Sequence, residues 1–154
     1  MGLKFLRNEK GVSMVEMAIV LPILLLVLFA IIEFSLILFD KAMITNASRE
    51  GARLGVVYRL SGPGTYFPPT STEIRNRVSQ YLTDISSGRE WLISFSDGNH
   101  QTILQHPDGC ISFGSGTNLL VTVTYDYSFL VLPNFVTSLF SPFRLRSDTT
   151  MVCE

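Results

Sequence analysis

Residues 12–39 form an almost unbroken apolar run, roughly 23 of 28 positions, and nothing else in the sequence restricts the fold as tightly. As a helix the run measures about 42 Å at 1.5 Å per residue, more than the roughly 30 Å of a hydrocarbon core. The apolar part of a removable secretory signal is only about 7 to 15 residues long. No small-x-small cleavage pattern follows, since the run ends in Leu38, Phe39, Asp40 and Lys41, and no cysteine lies close enough to accept a lipid. The segment therefore reads as one retained transmembrane helix. The whole chain is 47% hydrophobic and 16% charged, yet residues 40–154 are only about 39% apolar, a normal level for a soluble fold. Lys4, Arg7 and Lys10 precede the run with Glu9 as the only acid among them. The positive-inside rule then predicts a single-pass protein with a cytoplasmic N-terminus and a periplasmic or extracellular C-terminal domain. A net charge of −1 leaves no basic field for nucleic acid.

Two acids sit inside this apolar run, and a carboxylate in hydrocarbon costs several kcal/mol unless it is paired, neutralised or near an interface. Glu16 and Glu33 are about 25 Å apart along a helix, so Glu16 just inside one face puts Glu33 at the opposite headgroup region. At about 100° per residue the two point to different sides and do not form one site. Glu16 also follows a basic stretch in the string Lys10-Gly11-Val12-Ser13-Met14-Val15-Glu16. This string resembles the processing site of type IV prepilins and pseudopilins. The resemblance implies cleavage by a prepilin peptidase between Gly11 and Val12, making residues 1–11 a leader, and a role for Glu16 in filament assembly. The chemistry is coherent: glycine leaves the backbone open to a peptidase, and a new ammonium and a neighbour's carboxylate neutralise each other in low dielectric.

The segment Gly11-Val-Ser-Met-Val-Glu-Met-Ala-Ile-Val-Leu-Pro22 is similar to the start of the TadE-like family, pseudopilins of the tight-adherence (Tad/Flp) type IV pilus system. Asn46-Ala-Ser-Arg-Glu-Gly-Ala-Arg53 resembles that family's A-R-E-G-A-R stretch, with Ser48 where alanine is usual. Val121-Thr-Val-Thr-Tyr125, Leu132-Pro133 and Thr149-Thr-Met-Val-Cys-Glu154 resemble its closing strand, proline and final acid. The resemblance implies a minor pseudopilin of the TadE or TadF type, needed for assembly of adhesive pili, in the bacterial inner membrane or incorporated into a cell-surface pilus. Its implied partners are a prepilin peptidase, a companion pseudopilin, the major Flp pilin, the inner-membrane assembly platform and the membrane itself. The implied fold is α+β and type IV pilin-like: a transmembrane helix over residues 12–39, then a small domain over residues 40–154.

Pro22 interrupts the helix and removes one backbone hydrogen bond, giving a bend that is either purely local or serves packing in a filament. The helix is predicted to continue from Asp40 to Tyr58, with Ala47, Gly51 and Gly55 on one stripe that admits the backbone of a partner helix or of the chain's own sheet. A proline-rich loop, Ser61 to Pro69, ends it. Thr70 and Glu73 have capping-box spacing, and Ile74, Val78, Tyr81, Leu82 and Ile85 then recur at helical steps. Period-two segments follow at Trp91 to Phe95, Gln101 to Gln105, Leu119 to Phe129 and Phe143 to Val152, an antiparallel sheet of about four strands.

Cys110 and Cys153 read as a disulfide in an oxidising compartment; the rival grouping of His100, His106 and Cys110 matches no dependable zinc spacing. No nucleophile elbow or phosphate loop is present, so no catalytic residues, metal or cofactor are expected. The apolar connection from Phe129 to Phe143 either folds over the sheet or offers a partner or membrane surface. A function of another class also fits the residues: an uncleaved single-pass envelope protein whose outer domain is a binding module.

Overall fold

The apolar run and the segment after it form one helix, α1 (Glu9–Val56), 48 residues long. A computed structural model describes residues 9–57, 59–60, 66–86, 95, 100–105, 110, 116–131 and 143–153. Residues 1–8 of the expected leader, His106, the expected turns at 96–99 and 107–109, and the connection 132–142 lie outside the described residues. Pro22 lies within α1 without ending it, because losing one donor leaves the neighbouring turns intact. The helix ends at Val56, two residues before the expected boundary.

The prolines after α1 do not keep Ser61 to Pro69 wholly irregular. Tyr66 and Phe67 form β2 (Tyr66–Phe67), which pairs antiparallel with β1 (Arg59–Leu60), Arg59 opposite Phe67. Both strands precede Pro68, so no ladder donor is lost. Helix α2 (Ser71–Ser86) starts at a complete capping box. The Thr70 N–H donates to Glu73 Oε2 at 2.8 Å and the Glu73 N–H donates to Thr70 Oγ1 at 3.3 Å.

The described sheet has three antiparallel strands in the order β3 (His100–Gln105), β4 (Asn118–Tyr127), β5 (Phe143–Val152), where the sequence suggested about four. Residues 91–94 of the additional segment lie outside the described residues. Phe95 belongs to no strand; it is buried with its ring 4.7 Å from that of Tyr125, so its apolar character reflects core packing and not ladder pairing. On β4 Leu119, Val121, Val123, Tyr125 and Tyr127 are buried and face the helices, while Asn118 and Asp126 are exposed on the opposite side; Thr122 breaks the alternation, being buried there with its hydroxyl donating to Asp148 Oδ1 at 2.6 Å. The register pairs Tyr127 with Phe143, Tyr125 with Leu145 and Val123 with Ser147.

The result is two layers, with the second half of α1 lying across β4 and β5 and α2 packed beside it. Ile44, Ala47 and Ala52 of α1, Ile74, Val78 and Leu82 of α2, and the inward residues of the sheet form one core. A disulfide joins Cys110 to Cys153 across a sequence separation of 43, with Cα atoms 5.8 Å apart, which tethers the end of β5 to the segment after β3.

Candidate functional site

The site with the most unusual chemistry lies along α1, and its residues divide by position. At the N-terminal end, Gly11, Val12, Val15 and Glu16 line one open surface of the helix. All four are exposed, and a side chain added at Gly11 would meet no atom within 4 Å. Val12 and Glu16 are one helical turn apart, close enough for groups on these two residues to interact. From Val12 to Ile32 nearly every side chain stays outside the core, including Leu24 at 61% exposure, and α1 is the one described helix long and apolar enough to cross a membrane. Pro22 lies in the middle of that surface.

At Glu33 the exposure drops to 1%, although Ile32 before it is 41% exposed and Phe34 after it 60%. The Tyr127 hydroxyl donates to Glu33 Oε1 at 2.6 Å, and the Leu130 N–H donates to the same oxygen at 3.0 Å. The Val131 N–H donates to Oε2 at 2.7 Å. A carboxyl group on the helix thus holds the end of β4 and the chain after it, and its lone pairs are answered inside the protein rather than by headgroups. The sequence placed Glu33 at an interface by depth alone; the structure adds that it faces the sheet. The signal lay in helical spacing. Glu33, Ile37, Asp40, Ile44, Ala47, Gly51 and Gly55 follow one another at steps of three or four, so both acids lie on the stripe that meets the core.

Asp40, two turns after Glu33, is 3% exposed, and burial pushes its carboxyl up to about 7. Its charge is felt by the phenols of β4. Burial and then the charge of Asp40 raise Tyr125 to about 12. Burial, the hydrogen bond to Glu33 and nearby acid charges raise Tyr127 well above the usual phenol range. These two acids and two phenols form a polar seam between α1 and β4 in an otherwise apolar layer. On the outer face the carboxyls are held low instead: Asp126 by its hydrogen bond to Arg144, and Asp148 by hydrogen bonds from Thr122 and Arg146.

Further along α1 the contacts turn steric. A Cβ at Gly51 would overlap Val78, and one at Gly55 would overlap Leu119 and crowd Ile74. Ala47 is fully buried in the same row, so these small residues receive α2 and the chain's own sheet. Ser48, fully buried, forms hydrogen bonds with Ser147 Oγ at 3.1 Å and Thr149 Oγ1 at 2.7 Å, which gives its hydroxyl partners on β5. The Glu50 carboxylate does not pair with Arg53 on its own helix; Arg77 of α2 donates to it through Nε and Nη2 at 3.1 and 2.8 Å. Both groups are substantially exposed, so this pair contributes at most about 1 kcal/mol. Cys110 and Cys153 are consumed by their bond, and His100 Nε2 lies 3.2 Å from Ser79 Oγ. Among the described residues no cluster of histidine, cysteine and acidic side chains is arranged for a metal.

Residues 11–53 match the family model described as TadE-like protein. No curated protein and no solved structure matches the chain. The matched segment opens at the glycine of the exposed helix surface and closes at Arg53, so it takes in Glu16, Pro22, the Glu33 and Asp40 seam and Gly51. The likeness to the TadE-like family model thus covers the long N-terminal helix up to Arg53 and does not extend over α2 or the sheet.

Proposed function

We propose that this protein is a minor pseudopilin that serves assembly of a tight-adherence (Flp) type IV pilus and has no catalytic activity of its own. A prepilin peptidase cuts between Gly11 and Val12, and the subunit then enters or supports the filament through its apolar helix. One observation carries this reading: the family match begins at Gly11, on a helix whose Gly11, Val12 and Glu16 are exposed and unused by the chain's own core. Cleavage removes residues 1–11 and with them Lys4, Arg7 and Lys10, the charges that favour retention across the bilayer. The new ammonium on Val12 and a Glu16 carboxylate neutralise each other at low dielectric, either within one chain or between neighbours. The partners in this reading are the peptidase, a companion pseudopilin, the major Flp pilin and an inner-membrane assembly platform.

Intact mass or N-terminal sequencing of protein made with its cognate peptidase tests the central step. The expected product begins at Val12. Retention of residues 1–11 would instead favour an uncleaved single-pass envelope protein whose outer domain binds a partner. That second reading has one observation behind it, an open groove of about 550 Å³ between α1 and α2, lined by Arg53, Glu73, Asn76 and Gln80 among others.

A further inference from the structure

We infer that the outer domain is seated directly on a phospholipid leaflet, with Leu130, Phe129 and Phe143 as an apolar rim dipping into the headgroup boundary beside the point where α1 leaves the bilayer. The inference rests on the reading of α1 as a membrane anchor and adds the position and orientation of the domain relative to the lipid.

From Val12 to Ile32, about 21 residues or 31 Å of helix, α1 is exposed on all sides, a length that matches a hydrocarbon core of about 30 Å, and Phe34 and Leu38 carry the exposed apolar face a little further on the side away from the domain. Glu33 is the next residue and is already buried by the domain. The groups that hold Glu33, among them the Leu130 and Val131 amides, are therefore level with the last turns of the exposed apolar surface.

Leu130 is 52% and Phe143 38% exposed, and Phe129 is half-buried between them and Tyr127. The Phe129 ring lies 6.2 Å from that of Phe143 and 5.5 Å from that of Tyr127. Phenylalanine and leucine on an exposed face are the side chains that sink a surface element into the headgroup and acyl boundary. Charge returns one residue further from the bilayer, where Arg144 Nε meets Asp126 Oδ1 at 2.6 Å on the exposed side of the sheet. Apolar exposure alone does not single out this rim, since Val57 and Val152 are about as exposed. Those two lie toward the opposite end of the domain: Val57 follows the last turn of α1, roughly 36 Å of helix beyond Glu33, and Val152 pairs with the start of β4. Phe67, 54% exposed, pairs with Arg59 just beyond the end of α1, and Ile103 sits in mid-sheet, so among the described residues the rim is the exposed apolar patch of the sheet end that holds Glu33.

The test uses the full chain in vesicles of phosphatidylethanolamine and phosphatidylglycerol, with one nitroxide at a time on Leu130→Cys, Leu24→Cys or Ile103→Cys. Leu130 contributes its backbone, not its side chain, to Glu33, so the substitution leaves the seam in place. Ile103, 53% exposed opposite Thr122 in mid-sheet, is the control for water. Intact mass confirms one label per chain with the native disulfide closed. Collision with oxygen and with a water-soluble nickel chelate is then read by electron paramagnetic resonance. The expected result is strong protection from nickel at 24, free access at 103, and an oxygen-to-nickel ratio at 130 several-fold above that at 103. Nickel access at 130 equal to that at 103, with 24 protected, overturns the seating and leaves the anchor intact. Nickel access at 24 overturns the anchor reading and the inference with it. Protection at 130 that disappears on dilution into excess lipid would show a second copy covering the rim, and also overturns the proposal.

Discussion

The two parts of α1 are continuous in backbone yet differ in what surrounds them. Residues 12–32 present apolar side chains on all sides and contribute little to the core, whereas residues 33–56 have a buried stripe and an exposed stripe. A helix that is apolar all round belongs in lipid or between other helices, and one with a single buried stripe belongs on a sheet. The change falls at one residue, Glu33, and its burial depends on three donors from β4 and the chain that follows it. The acid that interrupts this membrane-like sequence is thus a fastening of the domain and not a defect in the apolar run.

The sharpest way to break this division is Glu33→Ala. Three donors then lose their acceptor, and the outer domain should lose roughly 3 to 5 kcal/mol of stability, measured by thermal or urea unfolding of the detergent-solubilised chain. A change under about 1 kcal/mol would show that the seam is incidental. Gly55→Val acts on the same half by sterics alone. Its Cβ meets Leu119 and Ile74 in the core, so overpacking of about 2 kcal/mol outweighs the few tenths gained in helix propensity. Protease resistance of α2 and the unfolding midpoint should fall together.

Asp40→Asn gives a smaller effect that depends on pH. The folded carboxyl titrates near 7 against an ordinary 3.8, so the fold binds its proton more tightly than the unfolded chain does. Its contribution is therefore most favourable below about pH 4, declines as pH rises toward about 7, and is flat beyond. Asp126 and Asp148 slope the other way, because their lowered values give stability that is lost as pH falls below the usual carboxylate range. Comparing unfolding of the parent and the Asn variant across that window isolates Asp40, and the variant should gain most above pH 7. Parallel pH profiles would remove Asp40 from the seam's energetics. The smallest effect on stability belongs to Glu16→Ala, expected within about 0.5 kcal/mol because Glu16 is exposed and outside the core. Membrane insertion should persist while pilus assembly, counted by microscopy or shearing, falls; full piliation would exclude Glu16 from assembly.

Much of the fold was legible because its signals are local. Thr70 and Glu73 announced α2 by a spacing that closes two hydrogen bonds within one turn. The alternation of residues 119–127 announced β4 and which of its faces is buried. Of the strand expected at Trp91 to Phe95, only Phe95 lies among the described residues, and there it is a core residue with its ring against Tyr125. At the site, Gly11 and Glu16 could be picked out from an interval of five residues. The fastening of Glu33 could not, since Tyr127 is 94 residues away and nothing near Glu33 names it.

The sequence by itself determined that the chain carries one long apolar helix, a capped second helix and alternating strands, because hydrophobic length, capping and period are sums over neighbouring residues. It also presented Cys110 and Cys153 as a pair. Only the tertiary structure decided where along that helix the packing of the outer domain begins. Burying a carboxyl group depends on donors placed around it in space, and the register of β4 and the chain following it bring Tyr127, Leu130 and Val131 to Glu33.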